Sequence, residues 1–118
     1  MIRYTGIGSR STPFEVRDFM RTFAIYAADQ RWHLRSGGAD GADDAFEDGC
    51  TYNLGKKTIY LPWPMFNGRS GPGYVDHPTQ AAMKMASAHP VWRILSFAVR
   101  QLHARNCHQV LGRNLKTP

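Results

Sequence analysis

The chain has little cysteine and, beyond residue 50, almost no acid. Its 118 residues contain two cysteines, Cys50 and Cys107. Two thiols cannot build the disulfide-dense scaffold of a small secreted domain, and the neighbours of neither form a zinc pattern. Both read as reduced thiols in a cytoplasmic protein. No apolar run reaches the ~18–20 residues of a membrane span. Met1 to Gly8 lacks the long apolar region of a signal peptide. His33, His77, His89, His103 and His108 share no ligand spacing, so no metal site is expected. Nothing resembles a Ser/His/Asp or Cys/His nucleophile, and neither a catalytic residue nor a cofactor is expected. Residues 51–118 hold nine Lys/Arg and a single acid, Asp76, whereas residues 1–50 hold six Lys/Arg and eight Asp/Glu. The net charge of +6 therefore hides a split of −2 and +8. A basic half of this kind either faces phosphate, in a nucleotide or a nucleic acid, or is simply a solvated surface.

What is present suffices for one folded domain over 1–118, since 42% of the residues are hydrophobic and 20% charged. Arg3 to Thr5 is a short β-type run ending in glycines. Thr12, Pro13 and Glu15 read as an N-cap, a first helical position and a capping box. Val16, Phe19, Met20, Phe23, Ala24 and Ala27 follow as one apolar stripe, expected to pack in the core. Trp32–Arg35 reads as a strand, Ala42 to about Gly49 as a helix and Lys57–Leu61 as a third strand. This alternation predicts an α/β, Rossmann-like domain: a short parallel sheet with right-handed crossovers, flanked by helices. Met65 to Tyr74 is too rich in Gly and Pro for regular structure and reads as a mobile loop. Pro78 opens a helix capped by Asp76 or His77. A longer helix is expected from Val91 to Leu111, with Arg93 and Arg100 on its outer face.

Two glycine turns each follow a strand and precede a helix: Thr5-Gly6-Ile7-Gly8-Ser9-Arg10 and Ser36-Gly37-Gly38-Ala39-Asp40-Gly41. In a parallel sheet both lie at the carboxyl ends of strands, where open α/β sheets bind ligands. Glycine admits close backbone approach, and a helix N-terminus offers free N–H groups to an anion. Ser9, Arg10 and Ser36 could add side-chain donors. Tight turns need glycine in any case, and neither turn is a Walker loop or a complete dinucleotide fingerprint. Asp40 or Asp43 could bind a ribose hydroxyl or a metal, with the ribose contact the expectation beside a phosphate pocket. Asp44, Glu47 and Asp48 suit the acid-favouring start of a helix. Trp63 and Phe66, with Arg69, could lid a pocket by stacking on a base, or could simply pack. Among the late arginines Arg105 lies at the edge of the apolar stripe and can turn toward a pocket.

These three segments, Tyr4–Arg10, Arg35–Asp43 and Arg105-Asn106, resemble the SMF/DprA–LOG (SLOG) superfamily. The likeness is nearest to small phage-type proteins similar to DNA-processing protein A, which would put the chain in a host cytoplasm. The resemblance implies that Gly6, Gly8, Ser9 and Arg10, with Ser36, Gly37, Gly38, Asp40, Gly41 and Asp43, line a phosphate pocket near Arg105 and Asn106. The family pattern continues into a further strand and a Pro-Gly-Gly-x-Gly-Thr turn with a glutamate. This sequence stops at Lys116-Thr117-Pro118 and reads as a truncated version. Without that glutamate, the nucleotide N-glycosidic hydrolysis of the LOG group is the alternative rather than the main expectation. A purely structural fragment is the other alternative. The main expectation is non-catalytic binding of a phosphate-bearing ligand, either single-stranded DNA or a free or signalling nucleotide. The open sheet edge invites pairing into a homo-oligomer.

Overall fold

The computed structural model describes residues 1–118. It is an α/β domain built on four parallel strands in the order β1-β2-β3-β4. The strands are β1 (Arg3–Thr5), β2 (His33–Ser36), β3 (Lys57–Tyr60) and β4 (Tyr74–Val75). The helices are α1 (Phe14–Asp29), α2 (Ala42–Tyr52), α3 (Gln80–Ala86) and α4 (Phe97–Leu111). Register is set by Tyr4 opposite Leu34, Arg35 opposite Thr58, and Ile59 opposite Tyr74. β4 is a two-residue strand that the Gly/Pro content of its neighbourhood concealed. No helix is long and apolar enough to cross a membrane.

The core is small. Ala24 from α1, Cys50 from α2, and Leu34, Ile59 and Leu61 from the sheet form its buried cluster, with Tyr4, Phe46, Phe66 and Tyr74 packed against it. The stripe on α1 departs from expectation: only Ala24 and Ala27 are buried, and Phe19 is 70% exposed. Phe19 and Phe23 instead line an apolar notch with Tyr4, Thr5 and Phe46, beside the outer edge of β1.

Local chemistry moves several boundaries. Helix α1 starts at Phe14 after Pro13, without a side-chain cap. The Thr12 hydroxyl donates to the Ser9 carbonyl at 2.5 Å instead of closing a capping box. Helix α2 runs past Gly49 to Tyr52. Helix α3 is capped by Thr79, whose hydroxyl accepts from the Ala82 N–H at 3.1 Å, not by Asp76 or His77. The expected helix from Val91 is broken: Trp92–Ile94 is a single 3-10 turn, Leu95 is extended, and Ser96 caps α4. Arg100 helps hold this corner, donating to the Trp92 carbonyl at 2.9 and 3.0 Å with its guanidinium on the Trp92 ring. It is therefore committed within the fold and does not stand free on a solvated helix face.

The Gly/Pro loop lacks regular structure but is anchored. Arg69 bridges Glu47 at 2.7 Å and Asp44 at 2.8 Å. The Tyr74 hydroxyl donates to Glu47 at 2.5 Å, and Asn67 donates to the Gly38 carbonyl at 2.9 Å. Asp44 and Glu47 thus hold the loop against α2.

Candidate functional site

Both glycine turns lie at the carboxyl ends of adjacent strands and back onto one another. The Ser9 carbonyl accepts from the N–H groups of Thr12 (3.3 Å) and Ala42 (3.2 Å), so the first turn leans on the start of α2. This contact needs glycine at position 41. Gly41 has φ +76°, and a Cβ there would come within 2.5 Å of the Ser9 and Arg10 carbonyl oxygens. Gly37 is required by closeness alone, since a Cβ would collide with Arg105 and Gln109. Gly6 and Gly8 lie against Phe46 and Ala42. Packing thus accounts for most of these glycines whatever the turns bind.

The two turns differ in what faces their N–H groups. In the second turn the Asp43 carboxylate, 4% exposed, takes the position an external anion would occupy. It accepts from the Ala39 N–H at 3.4 Å and is also approached by the Gly37 N–H and the Gln109 amide. Burial pushes the Asp43 carboxyl up, and the Arg105 guanidinium partly opposes this. Ser36 is fully buried and its hydroxyl donates to the Gly6 carbonyl at 2.6 Å, tying β2 to the first turn. Its proton is therefore directed into the fold and not toward the cleft. Gly38 packs against Arg69 and Leu61, and Asp40 is exposed with no hydrogen bond or ion pair. In the first turn the N–H groups of Ile7, Gly8, Ser9 and Arg10 have no acceptor within the chain.

The open turn borders a cleft of about 380 Å³ against α4, lined by Ile7, Gly8, Arg10, Asp43, Arg105 and Asn106 among others. Thr5 seats α4 there, its hydroxyl donating to the Gln109 carbonyl at 2.8 Å. Arg105 is 5% exposed. Its Nη1 donates to the Gly37 carbonyl and its Nε to Asn106 Oδ1 at 2.9 Å, while Nη2 has no partner in the chain. No fully enclosed side-chain atom lacks a partner, so Nη2 opens onto the cleft. Burial pulls the Arg105 guanidinium down, Asp43 opposes this, and the nearby charge of Arg10 lowers it further. Neither Arg10 nor Arg105 has a carboxylate within ion-pair distance. Two cations thus share one cleft whose single carboxylate, Asp43, forms an ion pair with neither.

The aromatic residues stand elsewhere. Trp63 and Phe66 pack edge to face at 5.2 Å, and the Phe66 ring lies 5.8 Å from the Arg105 guanidinium carbon. Neither lines the cleft. Phe66 supports Arg105 from behind. The apolar wall comes from Leu102, which the sequence puts on the apolar face of the last helix, and from Val110; the sequence marks neither as a site residue. Gln109 was also missed; its lone signal is the 3.6-residue spacing that places it with Arg105 and Asn106.

A larger depression of about 650 Å³ lies at the other end of the sheet, lined by Met1, Ile2, Trp32, Leu54 and Lys56 among others. There α1 and α2 end, and the negative ends of their dipoles disfavour an anion. No group of three or more His, Cys, Asp or Glu is placed to hold a metal ion. Compared with known proteins, the chain matches no family model, no curated protein and no solved structure.

Proposed function

We propose that the chain binds a phosphate-bearing nucleotide ligand in the cleft between the first glycine turn and α4. One observation carries the reading: Arg10 and Arg105 converge on a cleft whose one carboxylate, Asp43, lies within ion-pair distance of neither, beside four backbone N–H groups without acceptors. A phosphate placed there meets both guanidiniums and the turn N–H groups, and it relieves the repulsion between the two cations. Asn106 orients Arg105 through its Nε. Leu102, Val110 and Ile7 offer an apolar wall to a base. The second turn supports the site as a scaffold, with Asp43 as its internal anion. Asp43 also sets a limit, because it repels any phosphate pushed past Arg105. A cleft of about 380 Å³ falls within the ~300–1,000 Å³ of small-molecule sites and suits one nucleotide better than a strand.

The same segments carry the proposed kinship with the SLOG superfamily, whose DNA-processing members make single-stranded DNA the competing ligand. The commitment of Arg100 to the Trp92 carbonyl removes one arginine from a DNA-binding row and favours the free nucleotide. The test is mass spectrometry of small molecules released from purified protein, followed by titration with nucleoside mono- and diphosphates and with a thymidine oligonucleotide. A pocket nucleotide should bind with a shallow salt response, and Arg10→Ala or Arg105→Gln should weaken it at least tenfold. A strand bound through many phosphates loses affinity steeply with salt. Binding that survives Arg10→Ala and Arg105→Gln unchanged refutes the site. Release of free base and ribose phosphate would revive the hydrolase alternative.

A further inference from the structure

The outer edge of β1 and the aromatic flank of α1 lie side by side, and neither is covered. The ladder to β2 uses alternate residues: His33 N–H donates to the Ile2 carbonyl at 2.8 Å and Gly6 N–H to the Arg35 carbonyl at 2.9 Å. Tyr4 therefore faces β2, and Arg3 and Thr5 turn their N–H and C=O groups outward. Since β1 is the outermost strand, these groups have no strand partner. Above them, Val16, Phe19, Phe23 and Tyr26 recur at helical spacing along one flank of α1. Phe19 is 70% and Tyr26 52% exposed, which leaves an apolar flank beside the open strand.

We propose that a second copy of this chain adds its own β1, antiparallel, to this edge, making one eight-stranded sheet across a two-fold axis. The edge is self-complementary in the register that sets Tyr4 opposite Tyr4. Arg3 and Thr5 then face each other as hydrogen-bonded pairs on both sides of the axis, and no two arginines are directly opposed. Ile2 faces Gly6, over which Phe46 of the same chain already packs. Tyr4 points to the α1 face, where it meets Phe23 at 5.5 Å, so the central cross-strand pair joins two tyrosines already set in aromatic clusters. Spacing agrees as well. Helix α1 sits over β1 and β2, because Phe23 touches Tyr4 and Ala24 joins Leu34 in the core. The two α1 helices are then two strand spacings apart, about 10 Å, which matches the ~8–10 Å of packed helices. The paired sheet therefore brings the two aromatic flanks together without moving any element.

This inference is independent of what the cleft binds. Its test is analytical ultracentrifugation of the full chain between about 1 and 100 μM, with residue-resolved hydrogen exchange. Twice the chain mass of 13.3 kDa is expected, with the Arg3 and Thr5 amides protected. Arg3→Pro removes an outward donor and leaves the β2 ladder intact, since proline is tolerated at the open side of an edge strand. Phe19→Lys places a charge on the exposed flank. Each should give a folded species of single-chain mass, with thermal unfolding confirming the fold. A wild-type chain that stays single at 100 μM overturns the proposal. So does a dimer that survives both variants while the Arg3 and Thr5 amides exchange freely.

Discussion

His108 ties the second half of the chain to the sheet, and its loss has a calculable effect. The residue is fully buried on α4. Its Nε2 lies 3.2 Å from the Thr79 N–H and 3.3 Å from the Thr79 hydroxyl, and its Nδ1 lies 3.0 Å from the Gly112 carbonyl. With a backbone N–H on one nitrogen and a carbonyl on the other, the ring is neutral and carries its proton on Nδ1. It also stacks on Tyr60 at 5.4 Å. His108→Leu keeps the bulk but loses two hydrogen bonds: the Thr79 N–H is left without a partner, and the Gly112 carbonyl keeps only the Leu115 N–H, at 3.1 Å. At about 1 kcal/mol each, plus ~1 kcal/mol for the stack, the loss is about 3 kcal/mol. That is a large part of the ~5–15 kcal/mol typical of a domain. Burial pushes the His108 imidazole below its ordinary value of 6.5, with Arg113 adding to the fall and the Gly112 carbonyl opposing it. The unfolded chain therefore binds the proton first. Stability is full above pH 6.5 and falls as pH drops below it, by at most ~1.4 kcal/mol per pH unit for this one site. His33 adds a second site of the same sign, because burial and then Arg35 lower it too. Urea unfolding at pH 8, 6.5 and 5.5 should show the wild type losing stability on acidification. His108→Leu should be weaker at pH 8 and should fall less steeply. An equal slope in the variant refutes the account.

Other expectations follow from the anchored loop, the contact between the turns, and the internal carboxylate. Arg69→Ala deprives the buried Glu47 of its guanidinium; about 2–3 kcal/mol should be lost in urea unfolding, and limited proteolysis should begin to cut within residues 65–73. Gly41→Ala meets both a left-handed backbone and two carbonyl oxygens, so it should cost more than ~2 kcal/mol and impair nucleotide titration by shifting the first turn. Asp43→Asn keeps an acceptor for the Ala39 N–H and removes a buried charge. Because the folded carboxyl is raised, its protonated form favours folding at low pH, and that benefit is lost as pH rises through the folded value. At pH 7 the Asn variant should therefore unfold at equal or higher urea than wild type, bind phosphate more tightly, and leave Asp43→Ala as the destabilised control.

The fold was legible because strands, turns and helices alternate with their usual punctuation. Glycines end β1 and β2, Pro62 follows β3, and the apolar spacing of α1 is unambiguous. Spacing alone does not tell a core stripe from an edge stripe, however. Val16, Phe19 and Phe23 obey the helical period as well as Ala24 and Ala27 do, and only the open side of β1 separates them. The break at Leu95 was hidden for a related reason. Nothing in Ile94-Leu95-Ser96 forbids a helix, and the turn exists because Arg100 closes onto carbonyls eight and seven residues back. β4 is held by backbone bonds from Ile59 and Leu61 and by the anchoring of the loop through Arg69 and Tyr74, contacts that span more than twenty residues to Glu47.

For the site, sequence could not separate two glycine turns of similar composition; the difference lies in a single side chain. Asp43 stands two residues past Gly41, at the second position of α2, and folds back on the Ala39 N–H. The first turn has no such contact: Glu15, which holds the matching second position of α1, is exposed and makes no hydrogen bond or ion pair, and the hydroxyl of Thr12 binds the Ser9 carbonyl. The protein thus neutralises one anion seat from within and leaves the other open, and it points Arg105 at the boundary between them. That asymmetry fixes the polarity of the cleft. Positive charge accumulates from Arg105 toward Arg10 and solvent, so an anion is drawn to the outer, first-turn end and repelled from the inner one. It also accounts for the charge split of the sequence. The acids of the first half are largely engaged in internal ion pairs and turns, as with Asp43, Asp44 and Glu47, while Arg105, from the basic half, reaches across to meet Arg10.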